Sequence, residues 1–421
     1  MHEHVFLCGL TAEQQADFPS GTVLSHRAKT GNLKLELERL RTRLVGHEPT
    51  RLTDFIEIAS FVFAADRLVS RGPLTDPGFG ALWRRKFRLI IAVRDLAFWN
   101  RADVEEALSE VLGFLSEDVW SFDFVKNLQP IPLQEFLPGI VPRESVDTGG
   151  TSIVLFSGGL DSLAGAVHEL RNTNRYVVLV SHLNLPGIGR RQKHIAQELI
   201  QRFPRRVCHV WINNSLSGMK AREETQRTRS FFFTAMGAVA AHIETADRIQ
   251  FFENGVMSVN LPLATQVVGA RSSRSTHPRS LQLLNDFVEL LARHPLQIDN
   301  PFFVKTKIEI VRALAATPEA YLITNSISCT RSRTANRTHQ PHCGTCAQCL
   351  HRRISTLAGG AAALDEPQGY ETDFLTGPRD AGPDRVMAIE TISLALDCAG
   401  ISERDFFARF SGVLPWVWQA Y

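Results

Sequence analysis

A short loop rich in glycine and serine is the first part of the sequence that suggests chemistry. Residues 157–162 directly follow the apolar run 151–156 and directly precede a helical pattern. Two glycines allow a tight turn that brings backbone N–H groups close to an anion, and the start of a helix adds a partial positive charge. Two serine hydroxyls add further donors. The pattern predicts a phosphate-binding loop formed by Ser157, Gly158, Gly159, Leu160, Asp161 and Ser162.

Asp161 is an unusual member of such a loop because a carboxylate repels phosphate. Its presence makes sense if it holds a magnesium ion or the conformation of the loop. We therefore expect Asp161→Ala to abolish turnover with little change in folding. An ordinary glycine turn capped by aspartate is the simpler alternative. The loop lacks the Gly-Lys-Ser/Thr ending of Walker loops and the Gly-x-Gly-x-x-Gly pattern of dinucleotide-binding loops.

Four of the seven cysteines lie within 21 positions and are Cys329, Cys343, Cys346 and Cys349. The last three form two successive C-x-x-C steps, a spacing that lets thiolates converge on one ion. No feature suggests redox chemistry, so zinc is favoured over an iron–sulfur cluster, and free buried cysteines are the weaker alternative. Because four thiolates complete the coordination sphere, the predicted zinc ion is structural.

The segment around these cysteines is strongly basic. Residues 330–353 contain no acidic residue, three histidines and five arginines, which are Arg331, Arg333, Arg337, Arg352 and Arg353. A zinc ion with four thiolates carries a net negative charge, so the arginines can serve as compensation. The same arginines can alternatively face ATP or an anionic substrate.

The elements that must position the loop form an alternating series. Predicted strands cover residues 151–156, 176–182, 207–213 and 248–254, and predicted helices cover residues 161–171, 190–203, 229–246 and 279–293. Strands that alternate with helices indicate an α/β fold with a parallel sheet and helices on both faces.

The rest of the chain divides into three further parts. The N-terminal part mixes a predicted helix at 53–69, a strand at 87–98, a helix after Asn100 and a strand at 119–125, which indicates a small α+β domain. The predicted organisation is an accessory domain at 1–126, a linker rich in proline and glycine at 127–150, a catalytic domain with the zinc site at 151–356, and an acidic, partly helical extension at 357–421.

Composition excludes several classes of protein. The chain has 421 residues, of which 44% are hydrophobic and 21% are charged, so it is too apolar to be disordered or fibrous. A net charge of +2 gives no reason to expect direct nucleic-acid binding. No apolar run approaches the roughly 20 residues that span a membrane, and the N-terminus lacks the pattern of an export signal. We expect a cytoplasmic protein without membrane association.

The loop resembles that of the PP-loop family of ATP pyrophosphatases, in which an SGGxDS motif follows the first strand of a parallel sheet. In that family the loop binds the pyrophosphate of ATP, and an oxygen of the substrate attacks the α-phosphate to give an adenylate. The resemblance implies an adenine-nucleotide hydrolase-like fold, with ATP and magnesium as cofactors. It also implies that adenine lies against the end of the second strand, from Leu179 to His182.

The combination of this loop with the cysteine pattern resembles QueC, the 7-cyano-7-deazaguanine synthase family, over about residues 151–356. Arg229 matches the arginine of a Gly-Arg-Asn turn in that family, and residues 301–309 match a segment whose lysine is here Lys307. The resemblance implies adenylation of 7-carboxy-7-deazaguanine, with Arg229 and Lys307 recognising its carboxylate. The catalytic residues that it implies are Ser157, Asp161, Arg229 and Lys307.

The chain departs from the housekeeping members of that family, which lack residues 1–145 and the acidic extension. A longer segment at 255–280 also replaces a substrate-side loop and contains Arg271, Arg274 and Arg279. Enlarged QueC-like proteins occur in bacterial antiphage systems, notably as the QatC component of Qat operons. Resemblance to these implies transfer of the deazaguanine to an amine of a partner protein from the same defence operon.

Three alternatives remain open at this point. A housekeeping synthase would use ammonia as the acceptor. A tRNA thiolase of the PP-loop class would need a catalytic cysteine, for which only Cys208 is plausibly placed. A non-catalytic nucleotide-binding scaffold would have no reason to keep Ser157, Asp161 and Ser162.

Overall fold

A computed structural model of the chain describes residues 2–26, 31–36, 50–72, 83–130, 149–183, 186–223, 226–259, 274–291, 295–333, 340–380 and 382–411. Most of the predicted linker (131–148), Arg271 and Arg337 lie outside the described residues. The strands are β1 (Glu3–Cys8), β2 (Thr22–Leu24), β3 (Leu33–Glu36), β4 (Lys86–Val93), β5 (Val119–Lys126), β6 (Thr151–Leu155), β7 (Tyr176–His182), β8 (Val207–Leu216), β9 (Arg248–Gln250) and β10 (Gln297–Asp299).

The α-helices alternate with these strands along much of the chain. They are α1 (Ala12–Ala16), α2 (Thr50–Leu68), α3 (Leu96–Trp99), α4 (Ala102–Ser116), α5 (Leu160–Asn172), α6 (Pro186–Arg202), α7 (Arg229–Ile243), α8 (Gly255–Val259), α9 (Pro278–Leu291), α10 (Lys307–Ala315), α11 (Ala347–Ala358), α12 (Pro383–Gly400) and α13 (Glu403–Arg409). None of the helices in the described ranges is long and apolar enough to cross a membrane.

The larger sheet confirms the predicted α/β architecture. Its strand order is β10-β9-β6-β7-β8-β3, and all neighbours are parallel except β3, which pairs antiparallel with β8. Side chains alternate between the two faces of each strand. Val154 and Leu179 pack in one core with α5 and α6, whereas Ile153 and Val178 pack in another with α7 and α9. Helices therefore cover both faces, as predicted.

The N-terminal sheet corrects the prediction of an α+β domain. Its strands lie in the order β2-β1-β4-β5, and every neighbouring pair is parallel, so this part is α/β as well. β5 lies at the edge of this sheet, and its side chains are alternately partly exposed and buried, so one of its two faces is covered less than the other.

Helix α2 joins the two sheets through a common core. Residues Leu52–Asp66 are all buried, and α2 packs in the same hydrophobic cluster as residues of β4 and α7. A helix that is covered on all sides is apolar around its circumference, and its buried carboxylates have partners, since Asp54 and Glu57 pair with Arg94 and Asp66 pairs with Arg85. The N-terminal part therefore shares a hydrophobic core with the part that contains the larger sheet.

Candidate functional site

The loop between β6 and α5 has the geometry that its glycines permit. Gly158 has a φ of +77°, in the left-handed region that favours glycine, and Gly159 immediately precedes the first turn of α5. The hydroxyl oxygens of Ser157 and Ser162 lie 3.0 Å apart, and Ser162 donates to the Gly159 carbonyl at 3.1 Å. The predicted loop residues therefore form one compact turn at the N-terminus of a 13-residue helix.

Helix α6 supports this loop through Gln192, a residue that the sequence analysis missed. Its buried side-chain amide donates to the carbonyl oxygen of Ser157 at 2.8 Å. A Cβ atom on Gly158 would lie only 2.6 Å from Cγ of Gln192. Position 158 therefore needs glycine both for its backbone angle and for this close contact.

The strand order places the loop where the topology of the sheet reverses. From β6 the chain runs outward to β7 and β8, and then returns to the other side of β6 to form β9 and β10. In open parallel sheets, ligands bind in the crevice outside the carboxyl ends of the strands at such a point. The loop at 157–162 follows β6, and Glu253 and Asn254 follow β9. Both flank the candidate crevice.

Five polar side chains form a group beside the loop, which we call the Asp161 cluster: Asp161, Glu253, Asn254, Lys307 and His351. Lys307 and Asp161 form a short ion pair, and both side chains are at least nine-tenths buried. The amide of Asn254 donates to Asp161 at 3.4 Å and to Glu253 at 2.9 Å, so it bridges the two carboxyl groups. The cluster therefore joins the end of β9 to the starts of α5 and α10.

Helix capping fixes the position of Lys307 at the start of α10. The Thr306 hydroxyl accepts a hydrogen bond from the Glu309 N–H at 3.3 Å, and the Glu309 carboxylate accepts one from the Thr306 N–H at 2.7 Å. The resemblance to QueC implies that Lys307 recognises a substrate carboxylate, and the sequence predicts that Asp161 holds magnesium or the conformation of the loop. In the structure, the Lys307 ammonium and the Asp161 carboxylate pair with each other.

Burial controls the protonation of the other two titratable members of the cluster. Burial, assisted by the nearby charge of Asp161, raises the pKa of Glu253 well above its ordinary value. Burial and the charge of Lys307 lower the pKa of His351 to about 4. At neutral pH, Glu253 therefore favours its protonated, uncharged form, and His351 is deprotonated and uncharged. One ion pair, Asp161–Lys307, dominates the charge of the cluster.

His182 and Arg229 lie apart from this cluster. His182 ends β7, is 2% exposed, and contacts the rings of Phe63 and Phe232 edge-on. Its imidazole therefore belongs to the core, and only the backbone at the end of β7 remains for the predicted adenine contact. Arg229 begins α7, and its guanidinium lies 4.8 Å from the centre of the Phe233 ring. Within the described residues, no hydrogen bond or ion pair joins Arg229 to the loop.

The four predicted zinc ligands converge on one point. The Sγ atoms of Cys329, Cys343, Cys346 and Cys349 all lie within 4.8 Å of one another, and those of Cys343 and Cys349 are 3.8 Å apart. Tetrahedral zinc with Zn–S bonds of about 2.3 Å places its sulfur atoms about 3.8 Å apart. The donor set therefore fits zinc, and four thiolates leave no open position for a reacting group.

The C-x-x-C turn orients backbone donors toward sulfur. The N–H groups of Thr345 and Cys346 donate to Cys343 Sγ at 3.4 and 3.3 Å. Hydrogen bonds among the four sulfur atoms lower the pKa of the Cys343 thiol and raise the pKa of the Cys349 thiol, so the four thiols titrate as a group. Gly344 has a φ of +77°, and a Cβ atom there would overlap the Thr372 carbonyl oxygen. This contact fixes the turn.

The arginines near the cysteines have partners that the sequence analysis did not identify. Arg352 is 1% exposed and donates to Asp365 at 2.8 Å and to the Ser326 hydroxyl at 2.7 Å. Arg331 pairs with Asp384 at 2.6 Å. Neither interpretation from the sequence, compensation of the thiolate charge or contact with a substrate, accounts for these ion pairs. The acidic partners, Asp365 and Asp384, lie beyond residue 353 and therefore outside the basic segment.

The predicted domain boundary at residue 356 falls inside α11 and separates residues that pack together. The ring of Tyr370 stacks on that of His342 at 4.8 Å, and Tyr370 is buried in the same cluster as the cysteines. Residues from the start of the predicted C-terminal extension therefore complete the zinc-binding segment.

The segment that carries the first cysteine also contacts the phosphate-binding loop. The N–H of Ile327 donates to the Gly158 carbonyl at 3.0 Å, and the Ser328 hydroxyl accepts from the Leu160 N–H at 3.4 Å. Cys329 is the next residue. A metal bound to Cys329 would therefore hold the chain that supports the loop.

The remaining cysteines offer no nucleophile beside the loop. Cys208 is buried near the start of β8, at the opposite edge of the sheet from the carboxyl ends. Cys8 is buried in the N-terminal sheet, and Cys398 is exposed on α12.

Sequence reasoning missed Gln192, Glu253, Asn254 and His351 among the residues of the site. A usable signal existed for two of them, because Glu253 and Asn254 end the predicted strand 248–254, and polar residues at the carboxyl end of a parallel strand commonly line a site. Gln192 and His351 carry no comparable signal, since each looks like an ordinary helical polar residue.

Comparison of the sequence with models of known protein families gives no match, and comparison with curated proteins gives no significant match.

Proposed function

We propose that this chain is an ATP-dependent ligase that joins a carboxylate to an amine and releases AMP and pyrophosphate. The observation that carries the proposal is the position of the glycine loop at 157–162. It lies at the N-terminus of α5 and at the reversal point of the parallel sheet, beside a buried lysine. Backbone N–H groups at a helix start suit a phosphate chain, and the lysine adds positive charge.

The loop sequence favours attack at the α-phosphate over transfer of the γ-phosphate. The SGGxDS motif resembles PP-loop enzymes, and the Walker ending typical of γ-phosphate transfer is absent. In the proposed step, a carboxylate oxygen of the substrate bonds to the α-phosphorus and pyrophosphate leaves. The amine then bonds to the acyl carbon, AMP leaves, and the amine loses a proton. The fold of the larger sheet is accordingly assigned to the PP-loop class.

The proposed substrate is 7-carboxy-7-deazaguanine, which rests on the resemblance to QueC in residues 151–356. Arg229 and Lys307 are the proposed carboxylate-binding residues, and Lys307 also pairs with Asp161. Zinc at the four cysteines has a structural role, since the donor set is closed and adjoins the support of the loop. Magnesium is the proposed counterion of ATP.

The proposed acceptor is an amine of a partner protein, as in the antiphage QueC-like proteins that the chain resembles. Ammonia, the acceptor of the housekeeping synthases, is the alternative. The thiolase hypothesis loses its main candidate residue, because Cys208 lies near the amino end of β8 and the loop follows the carboxyl end of β6.

Product analysis and intact-mass spectrometry test the proposal together. Purified protein with magnesium, ATP and 7-carboxy-7-deazaguanine should form AMP and pyrophosphate when a co-expressed partner protein is added, and that partner should gain the mass of the acyl group. Formation of ADP and phosphate would contradict the ligase proposal. Free 7-cyano-7-deazaguanine, with no gain of mass by the partner, would instead identify ammonia as the acceptor.

We expect Gly158→Ala to weaken ATP binding by about tenfold or more, because the new methyl group collides with Gln192 and the backbone angle disfavours alanine. Isothermal titration with magnesium-ATP measures the effect. Gly187→Ala is the matched control, since a Cβ atom there meets nothing within 4 Å. Unchanged ATP affinity in Gly158→Ala would show that ATP does not bind at this loop.

A further inference from the structure

Glu117 has a backbone conformation that its residue type disfavours. It caps the C-terminus of α4 with φ 64° and ψ 14°, in the left-handed region, and its N–H donates to the Gly113 carbonyl at 2.8 Å. Glycine is the usual residue at such a helix end because any side chain adds strain there. A glutamate in this position therefore points to a need for its side chain.

The carboxylate of Glu117 joins three separate segments of the chain. It accepts hydrogen bonds from Trp83 Nε1 at 3.2 Å, from Arg227 at 2.7 Å and from Arg274 at 2.6 Å. The side chain of Arg227 is only 2% exposed, so the Glu117 carboxylate compensates a buried charge. Although burial opposes ionisation, the charges of Arg274 and Arg227 lower the pKa of Glu117 and keep it a carboxylate.

Both arginines belong to connections that leave the carboxyl edge of the larger sheet. Arg227 lies between β8 and α7, two residues before Arg229, and Arg274 lies between α8 and α9. The loop at 157–162 follows a strand at this same edge. Glu117, at the end of a helix of the N-terminal part, thus holds two connections on the side of the proposed active site.

A second contact holds the same turn from the N-terminal part. Asp66, at the end of α2, accepts hydrogen bonds from the N–H of Thr228 at 3.1 Å and from its hydroxyl at 3.0 Å. Asp66 is itself fixed by a buried ion pair with Arg85 at 2.5 Å. The start of α7, where Arg229 lies, therefore depends on the N-terminal part for its position.

We infer that Glu117 is a positioning residue, and that the N-terminal part forms a wall of the substrate site through it. The inference rests on the proposed function for the carboxylate substrate and for the role of Arg229, whereas the contacts of Glu117 with Trp83, Arg227 and Arg274 are independent of it. Loss of the Glu117 carboxylate should free the connections at Arg227 and Arg274 and displace Arg229. Binding of the carboxylate substrate should then weaken, whereas binding of ATP at the 157–162 loop, which is supported by Gln192 and Ile327, should not.

Glu117→Gln tests the inference, with Glu110→Gln as the matched control. Glu110 lies on the same helix, and its exposed carboxylate pairs with Arg279 at 2.5 Å. Hydrogen exchange followed by mass spectrometry should show faster exchange at 226–229 and 274–278 in Glu117→Gln and not in Glu110→Gln. The KM for the carboxylate should rise about tenfold with the KM for ATP unchanged, as expected when positioning alone is lost.

Arg274→Gln provides a second variant in case Glu117→Gln folds poorly. Arg274 is partly exposed, and its replacement removes only one of the contacts that Glu117 makes. Faster exchange in both segments supports the inference even in a protein that shows no ligase activity. Unchanged exchange in both segments, or an equal rise in both KM values, would overturn it.

Discussion

Lys307→Met should abolish carboxylate-dependent turnover and lower the free energy of unfolding by about 3–5 kcal/mol. The ion pair between Lys307 and Asp161 is buried, so removal of the ammonium leaves a desolvated carboxylate without its partner. For the same reason, Asp161→Ala should cost stability as well as activity. The expectation from sequence that it leaves folding nearly unchanged is therefore revised. Urea denaturation and product analysis measure the two effects.

Two further variants separate stability from function at this pair. Lys305→Met removes a partly exposed lysine that lies over the Phe302 ring, so it should leave both properties close to wild type. The double variant Asp161→Asn with Lys307→Met should recover much of the stability because no lone buried charge remains. It should stay inactive. Normal stability of Lys307→Met alone would show that the pair is not buried as described.

Cys346→Ser should reduce bound zinc from one ion per chain to a small fraction and lower the melting temperature. Binding to a closed thiolate site contributes directly to folding free energy, with apparent values of about 10–16 kcal/mol in small zinc domains. Because Cys329 directly follows the segment that contacts the loop, ATP affinity should fall too. Elemental analysis, thermal unfolding and ATP titration measure the three effects.

Cys398→Ser is the matched control for the zinc prediction because Cys398 is exposed on α12, outside the four-cysteine group. It should keep zinc and thermal stability at the wild-type level. Iron in place of zinc in the wild-type protein, or full zinc occupancy in Cys346→Ser, would contradict the assignment.

Local patterns predicted the larger sheet well because its signals lie within single elements. The predicted strand at 176–182 is β7 with the same bounds, and the apolar run at 151–156 is β6 apart from its last residue. The cysteine spacing likewise predicted the four ligands that converge. In each case the information lies within a few neighbouring residues, where periodicity and spacing determine the outcome.

Contacts between distant segments were not predictable in this way. The pairing of Lys307 with Asp161 spans 146 residues, and nothing near Lys307 distinguishes a substrate ligand from an internal partner. β3 joins the larger sheet as an antiparallel edge although it precedes the N-terminal strand β4 in the chain. Such pairings depend on how elements pack in three dimensions, and a pattern read along one sequence does not contain that information.

Exchange of labelled pyrophosphate into ATP tests the central claim most directly, because it reports adenylation before any acceptor is involved. The protein is incubated with magnesium-ATP, labelled pyrophosphate and 7-carboxy-7-deazaguanine, without partner protein or ammonia. We predict that label enters ATP only when the carboxylate is present, and that Asp161→Ala abolishes the exchange. Label that stays out of ATP while ATP is shown to bind, or that enters equally without the carboxylate, would contradict activation of this carboxylate at the 157–162 loop.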